Sequence, residues 1–88
     1  MSDVVRLRDE KLEWREIDGE VVALDGQQSE YLGVNRAGAA LWPLLASGTT
    51  REALVARLSE SFGLDPARAA ADVDAFVGSL AERGLLAQ

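Results

Sequence analysis

The chain has 88 residues, 48% of them hydrophobic, and carries a formal charge of −6 from 15 acidic and 9 basic side chains. That length implies one domain with a modest core, and the acidic balance opposes binding to phosphate backbones. Neither cysteine nor histidine is present, which excludes disulfides, thiolate metal sites, cysteine nucleophiles and the commonest general base.

Taken in chain order, Met1-Ser2-Asp3-Val4-Val5-Arg6 has neither the basic nor the apolar region of a signal peptide. No apolar run approaches the roughly 20 residues that a membrane-spanning helix needs, so the expected location is the cytoplasm. Residues 1–10 are polar and read as a flexible N-terminal arm, or as an additional strand through Val4-Val5-Arg6-Leu7. Residues 11–88 read as the folded domain.

From Leu12 the pattern Leu12-Glu13-Trp14-Arg15 alternates with the period of a half-buried strand. Asp18-Gly19 is a strong hairpin signal, because a type I′ turn needs positive φ at both central residues. Glu20-Val21-Val22-Ala23-Leu24 is rich in strand formers, and Asp25-Gly26 with Gln27-Gln28 makes the next turn. Ser29 to Val34 forms the third strand of an antiparallel meander and is expected at its edge.

Asn35 is a good helix N-cap, since its side-chain oxygen can accept an orphan amide of the first turn. The helix that follows has an apolar stripe at Ala37, Ala40, Leu41, Leu44 and Leu45. Pro43 removes one donor inside it and is expected to kink or shorten it. Beyond Gly48, Thr49-Thr50-Arg51-Glu52 matches a capping box with Thr49 as N-cap. The second helix buries Leu54, Val55, Leu58 and Phe62 and stops at Gly63. Asp65-Pro66 opens the third helix, with Pro66 where its missing N–H costs nothing; Gly84 ends it, and Leu85 and Leu86 fold back.

Reactive chemistry is sparse. Asp72 and Asp74 are two apart on a helix and point in different directions, so they do not form an acid/base pair. The carboxylates lack the spacing of a calcium loop, and the glycines form no phosphate-binding pattern. No catalytic residue, cofactor or metal is therefore expected. Arg51 and Arg57 are interleaved with Glu52 and Glu60, as on a solvated face. Gly33 is a less ordinary residue, because glycine inside a strand weakens it and lets another backbone approach. Gly38, in the first turn of a helix, allows tight packing on the sheet. The third helix carries more apolar surface than a three-helix cluster must bury. An edge strand beside such a helix is a receptor for an extended peptide, bound through main-chain hydrogen bonds and through pockets that take alternate side chains.

The run from Trp14 to Asp25, then Tyr31-Leu32-Gly33-Val34-Asn35 and Gly38-Ala39-Ala40-Leu41-Trp42, resembles the PqqD-like proteins, the recognition elements that hold leader peptides of ribosomally made natural products. Asp72 to Leu80 with Gly84-Leu85-Leu86 fits the same pattern, so the resemblance covers nearly all of the chain beyond residue 10. Within that family the chain is most similar to the freestanding B1 proteins of lasso-peptide biosynthesis. Pro43 departs from the acidic or polar residue usual after the tryptophan, which bears on the geometry of the first helix.

The resemblance implies an α+β, winged-helix-like fold of a three-stranded antiparallel β-meander followed by three α-helices. It implies a non-catalytic adaptor that binds the precursor leader peptide antiparallel to the third strand, in the cleft against the third helix. The binding residues it implies are Ser29, Glu30, Tyr31, Leu32, Gly33 and Val34 on the strand, with Ala69, Asp72, Val73, Phe76 and Leu80 on the helix. The implied partners are a B2-type leader peptidase and a macrolactam cyclase, with no nucleic acid and no membrane. One alternative is a PqqD-type peptide chaperone for another modified-peptide or cofactor pathway. Another is a winged-helix DNA-binding regulator, against which the acidic third helix argues, since base edges are read by Arg, Lys, Asn or Gln. A small enzyme is the remaining reading, disfavoured by the lack of His and Cys.

Overall fold

The computed structural model describes residues 4–87. Its main sheet is an antiparallel meander of β2 (Leu12–Ile17), β3 (Glu20–Asp25) and β4 (Glu30–Val34), in the order β2-β3-β4. A short β1 (Val4–Val5) precedes it. The helices α1 (Arg36–Ser47), α2 (Arg51–Phe62) and α3 (Pro66–Glu82) follow, with β5 (Thr49–Thr50) between α1 and α2. The expected βββααα order is present, with two short strands added.

Local chemistry explains most boundaries. Asp18 and Gly19 turn the first hairpin with φ of 54° and 79°, as a type I′ turn requires. Asn35 caps α1 by accepting from the Gly38 amide at 3.0 Å, and Asp65 caps α3 by accepting from Ala67. α1 continues through Pro43 from Arg36 to Ser47; the exposed ring only deprives the Ala39 carbonyl of its helical donor. Gly63 ends α2 in the left-handed region.

Four local expectations need correction. The N-cap of α2 is Thr50, which accepts from the Ala53 amide. Thr49 is instead paired with Val5 in the β1–β5 ladder, so the helix starts one residue later. The third strand begins at Glu30, because Ser29 has φ of 56° and belongs to the turn. Phe62 is 43% exposed, since the last turn of α2 runs past the core. Trp14 is 40% exposed, although its ring meets that of Trp42 edge-on at 6.2 Å; β2 is an edge strand and overhangs the helices.

The core lies between the sheet and the helices. α1 contributes Leu41, Trp42 and Leu45, α2 contributes Leu54 and Leu58, and α3 contributes Ala69, Val73 and Leu80. Val21, Ala23 and Val34 face them from the sheet. Each fully buried leucine is worth about 1.5–3 kcal/mol relative to exposure. The opposite face of the sheet shows Ile17, Val22 and Tyr31 to solvent.

The arm is tied in at several points. Leu7 is buried, bridges Leu86 and donates its amide to the Leu45 carbonyl at 2.9 Å. Arg8 N donates to the Leu85 carbonyl, and Ala87 N to that of Arg6. The start of the arm, residues 1–3, lies outside the described residues.

Candidate peptide-binding groove

β4 pairs only with β3, so its other edge carries no strand among the described residues. Which of its amides face that edge follows from the phase of the ladder. In an antiparallel pair, opposed residues alternate between exchanging both hydrogen bonds and exchanging none. Gly26 N donates to the Lys11 carbonyl at 2.7 Å, which makes Lys11–Gly26 a bonded position. Two-residue steps then make Glu13–Leu24, Arg15–Val22 and Ile17–Glu20 bonded as well. Val21, Ala23 and Asp25 accordingly turn their backbone groups toward β4, where they meet Val34, Leu32 and Glu30. Tyr31 and Gly33 are left with N–H and C=O directed outward.

Side-chain parity divides the same strand. Glu30, Leu32 and Val34 project to the helix side, while Tyr31, 75% exposed, and Gly33 lie on the outer face. A strand added to this edge would present every second side chain to α3.

Two sets of contacts tie β4 to α3. Where β4 begins, Gln28 Nε2 donates to the Arg83 carbonyl at 2.9 Å and to Asp25 Oδ2 at 3.1 Å. Asp25 Oδ1 also accepts from Arg8 Nη2 at 2.6 Å and from the Gln27 amide at 3.0 Å, and Arg8 Nη1 donates to the Gly84 carbonyl. Asp25 is 6% exposed. Burial pushes its carboxyl upward, but the Arg8 hydrogen bond, the Gln27 amide and the Arg8 charge together hold it below the ordinary carboxylate range. Where β4 ends, Val34 and the Phe76 ring converge on Gly38 of α1.

Of the residues expected on the helix wall, Phe76 is half-buried at this junction and Asp72 is exposed. Ala69, Val73 and Leu80 are buried beneath them in the core, because the apolar stripe of α3 is covered by α1, α2 and the sheet. Beyond Phe76 a hollow of about 420 Å³ is lined by Asn35, Gly38, Leu41, Leu58, Asp72 and Phe76 among others.

The acidic residues of α3 do not gather. Arg51 of α2 grips Asp74 with two hydrogen bonds, at 2.7 and 2.9 Å, and these, against a smaller opposing effect of burial, hold the Asp74 carboxyl low. Arg68 Nε lies 3.8 Å from Asp72. Sequence reasoning missed the clasp of Arg8, Asp25 and Gln28. Its one signal was a carboxylate at Asp25, in phase with the buried Val21 and Ala23, where a charge needs a partner.

The sequence model of the family described as coenzyme PQQ synthesis protein D (PqqD) matches residues 20–86, well over half of the chain. The chain belongs to the PqqD family. Among solved structures it is similar to TbiB1, determined in complex with the TbiA(beta) leader peptide. That likeness has 30% identity and a TM-score of 0.84 over 92% of this chain and 93% of that one. It is likewise similar to a lasso peptide synthetase B1 complexed with the leader peptide, at 27% identity and a TM-score of 0.81, over 96% of this chain and 98% of the other. No curated protein sequence matches the chain. The meander, the free β4 edge and the α3 wall are thus those of a PqqD-family fold.

Proposed function

We propose that this PqqD-family chain is a leader-peptide-binding adaptor of lasso-peptide biosynthesis. It captures the leader of a ribosomal precursor by adding it as a strand to β4, antiparallel, against α3. The observation that carries this reading is the outward pair of backbone groups at Tyr31 and Gly33, on an edge closed at both ends and walled by Phe76, in a chain whose structural relatives were solved with leader peptides. Main-chain bonds supply register, and side chains opposite Glu30, Leu32 and Val34 supply specificity.

The adaptor delivers the bound precursor to a leader peptidase and a macrolactam cyclase, which carry out the chemistry. With no histidine or cysteine in the sequence, and with Asp74 and Asp72 beside arginines, its own part is to hold and orient. No helix among the described residues is long and apolar enough to cross a membrane, which agrees with a cytoplasmic site of action.

The test is a titration of a fluorescein-labelled synthetic leader, taken from the precursor encoded beside this chain's gene. Binding is expected in the sub-micromolar to micromolar range, about −8 kcal/mol or stronger, and the precursor's mass is expected to stay unchanged when this protein is added alone. Cleavage or cyclisation without partners would overturn the adaptor reading.

The match to a family described by coenzyme PQQ synthesis favours one second reading, a peptide chaperone for another modified-peptide or cofactor pathway. It predicts the same groove with a different precursor, so the identity of the peptide that binds decides between them. A DNA-binding role finds no support in α3, whose Arg68 lies beside Asp72, and predicts salt-dependent binding to random duplex that the adaptor reading excludes.

A further inference from the structure

Gly38 lies in the first turn of α1 with helical backbone, so no positive φ accounts for it. Its amide is held by Asn35 Oδ1 at 3.0 Å, which pins the backbone at that point. A Cβ built there would overlap Val34 Cγ1 and would lie 2.9 Å from Phe76 Cε1 and 3.0 Å from Phe76 Cζ. The last residue of the edge strand and the aromatic ring on the facing helix therefore close over one glycine.

We propose that Gly38 is a positioning residue that sets the width of the β4–α3 groove for the leader peptide. The inference rests on the leader-binding reading. A methyl group at position 38 leaves the groove two ways to respond. The Phe76 ring swings outward into the space the leader's side chains would take, or Val34 is pushed aside and carries the outward amides of Tyr31 and Gly33 out of line. Both responses act on the ligand through other residues, and Gly38 itself need not touch the peptide. Gly78, midway along α3, provides the contrast, because a Cβ there meets nothing within 4 Å.

The experiment compares the wild type with Gly38→Ala, Gly78→Ala and the double variant Gly38→Ala/Val34→Ala in the anisotropy titration described above. Gly38→Ala is expected to bind the leader at least tenfold more weakly while retaining the circular dichroism spectrum and a cooperative melt. Gly78→Ala should stay within twofold of the wild type. The double variant, which removes the nearest clashing methyl, should recover at least threefold over Gly38→Ala, a rescue that mere loss of stability would not give.

Equal binding by wild type and a folded Gly38→Ala overturns the inference, whereas a wild type that binds no leader overturns the reading beneath it. Should Gly38→Ala fail to fold, NMR on the wild-type protein decides. The Val34 methyl and Phe76 ring resonances must shift when leader is added, and their constancy in a saturated complex overturns the role assigned to Gly38.

Discussion

A single amide carries different weight according to which way it points. In β4 the inward residues Leu32 and Val34 spend their backbone groups on β3, and the outward residues Tyr31 and Gly33 have theirs to offer. Hydrogen exchange should therefore show Leu32 and Val34 protected before any peptide is present, with Tyr31 and Gly33 gaining protection only on adding leader. N-methylation of Gly33 by semisynthesis should cost about 0.5–1.5 kcal/mol of leader binding, the net worth of one hydrogen bond, with little effect on melting. The same change at Leu32 should lower stability instead. Protection gained at Leu32 rather than at Gly33 would mean that the ladder phase is inverted.

The elements divide between those that build the core and those that frame the groove, and α3 does both. Its buried stripe of Ala69, Val73 and Leu80 joins it to the other helices and the sheet, while Phe76 stands at the border. Phe76→Ala is expected to weaken leader binding by about 1–3 kcal/mol, as loss of an aromatic anchor does. A half-buried ring should cost less stability than the roughly 3–5 kcal/mol of a fully buried one. A folded variant with unchanged affinity would remove Phe76 from the binding surface.

Elsewhere on α3, Gly78 is exposed and unopposed. Gly78→Ala should raise stability by about 0.5–1 kcal/mol through helix propensity alone, read as a melting temperature higher by several degrees. A lower melting temperature would show that the open space at Gly78 is needed for something other than the helix.

Across the whole molecule, one buried carboxylate gathers three distant pieces of chain. Asp25 ends β3, Arg8 comes from the arm, and Gln28 reaches the carbonyl of Arg83 beyond α3. Because its partners hold the Asp25 carboxyl below the usual range, the folded state favours the charged form more than the unfolded chain does. The stabilisation is fully present above the unfolded value near 4 and is lost as pH falls through the lowered folded value.

Asp25→Asn should be less stable than the wild type at pH 7 and should lose less of its stability between pH 4 and pH 2, as measured by urea melts. Parallel acid profiles for the two proteins would show that the clasp does not couple folding to this proton. The Asp74–Arg51 pair shifts in the same direction, but it sits exposed on the surface, where screening weakens the effect.

The sequence by itself determined what depends on a few neighbouring residues. Asp18-Gly19 dictates a tight hairpin because both positions must take positive φ, Asn35 and Asp65 start helices because their side chains reach amides two or three residues on, and the run of these signals orders strands before helices. The free edge at β4 and the resemblance to the PqqD-like family were legible from the same local patterns.

The tertiary structure decided whatever depends on residues that meet after long excursions of the chain. Thr50 caps α2 because Thr49 is claimed by Val5 from the arm, and Arg8 finds Asp25 and Gly84 only when the two termini are brought together. Helical periodicity placed Ala69, Val73, Phe76 and Leu80 on one broad face, but only the packing of α1 against α3 separated the buried three from Phe76 at the groove. The physical reason is that capping and turn geometry are set within one or two turns of backbone. Pairing across distant segments pays a loop-closure cost that is recovered only by the assembled core.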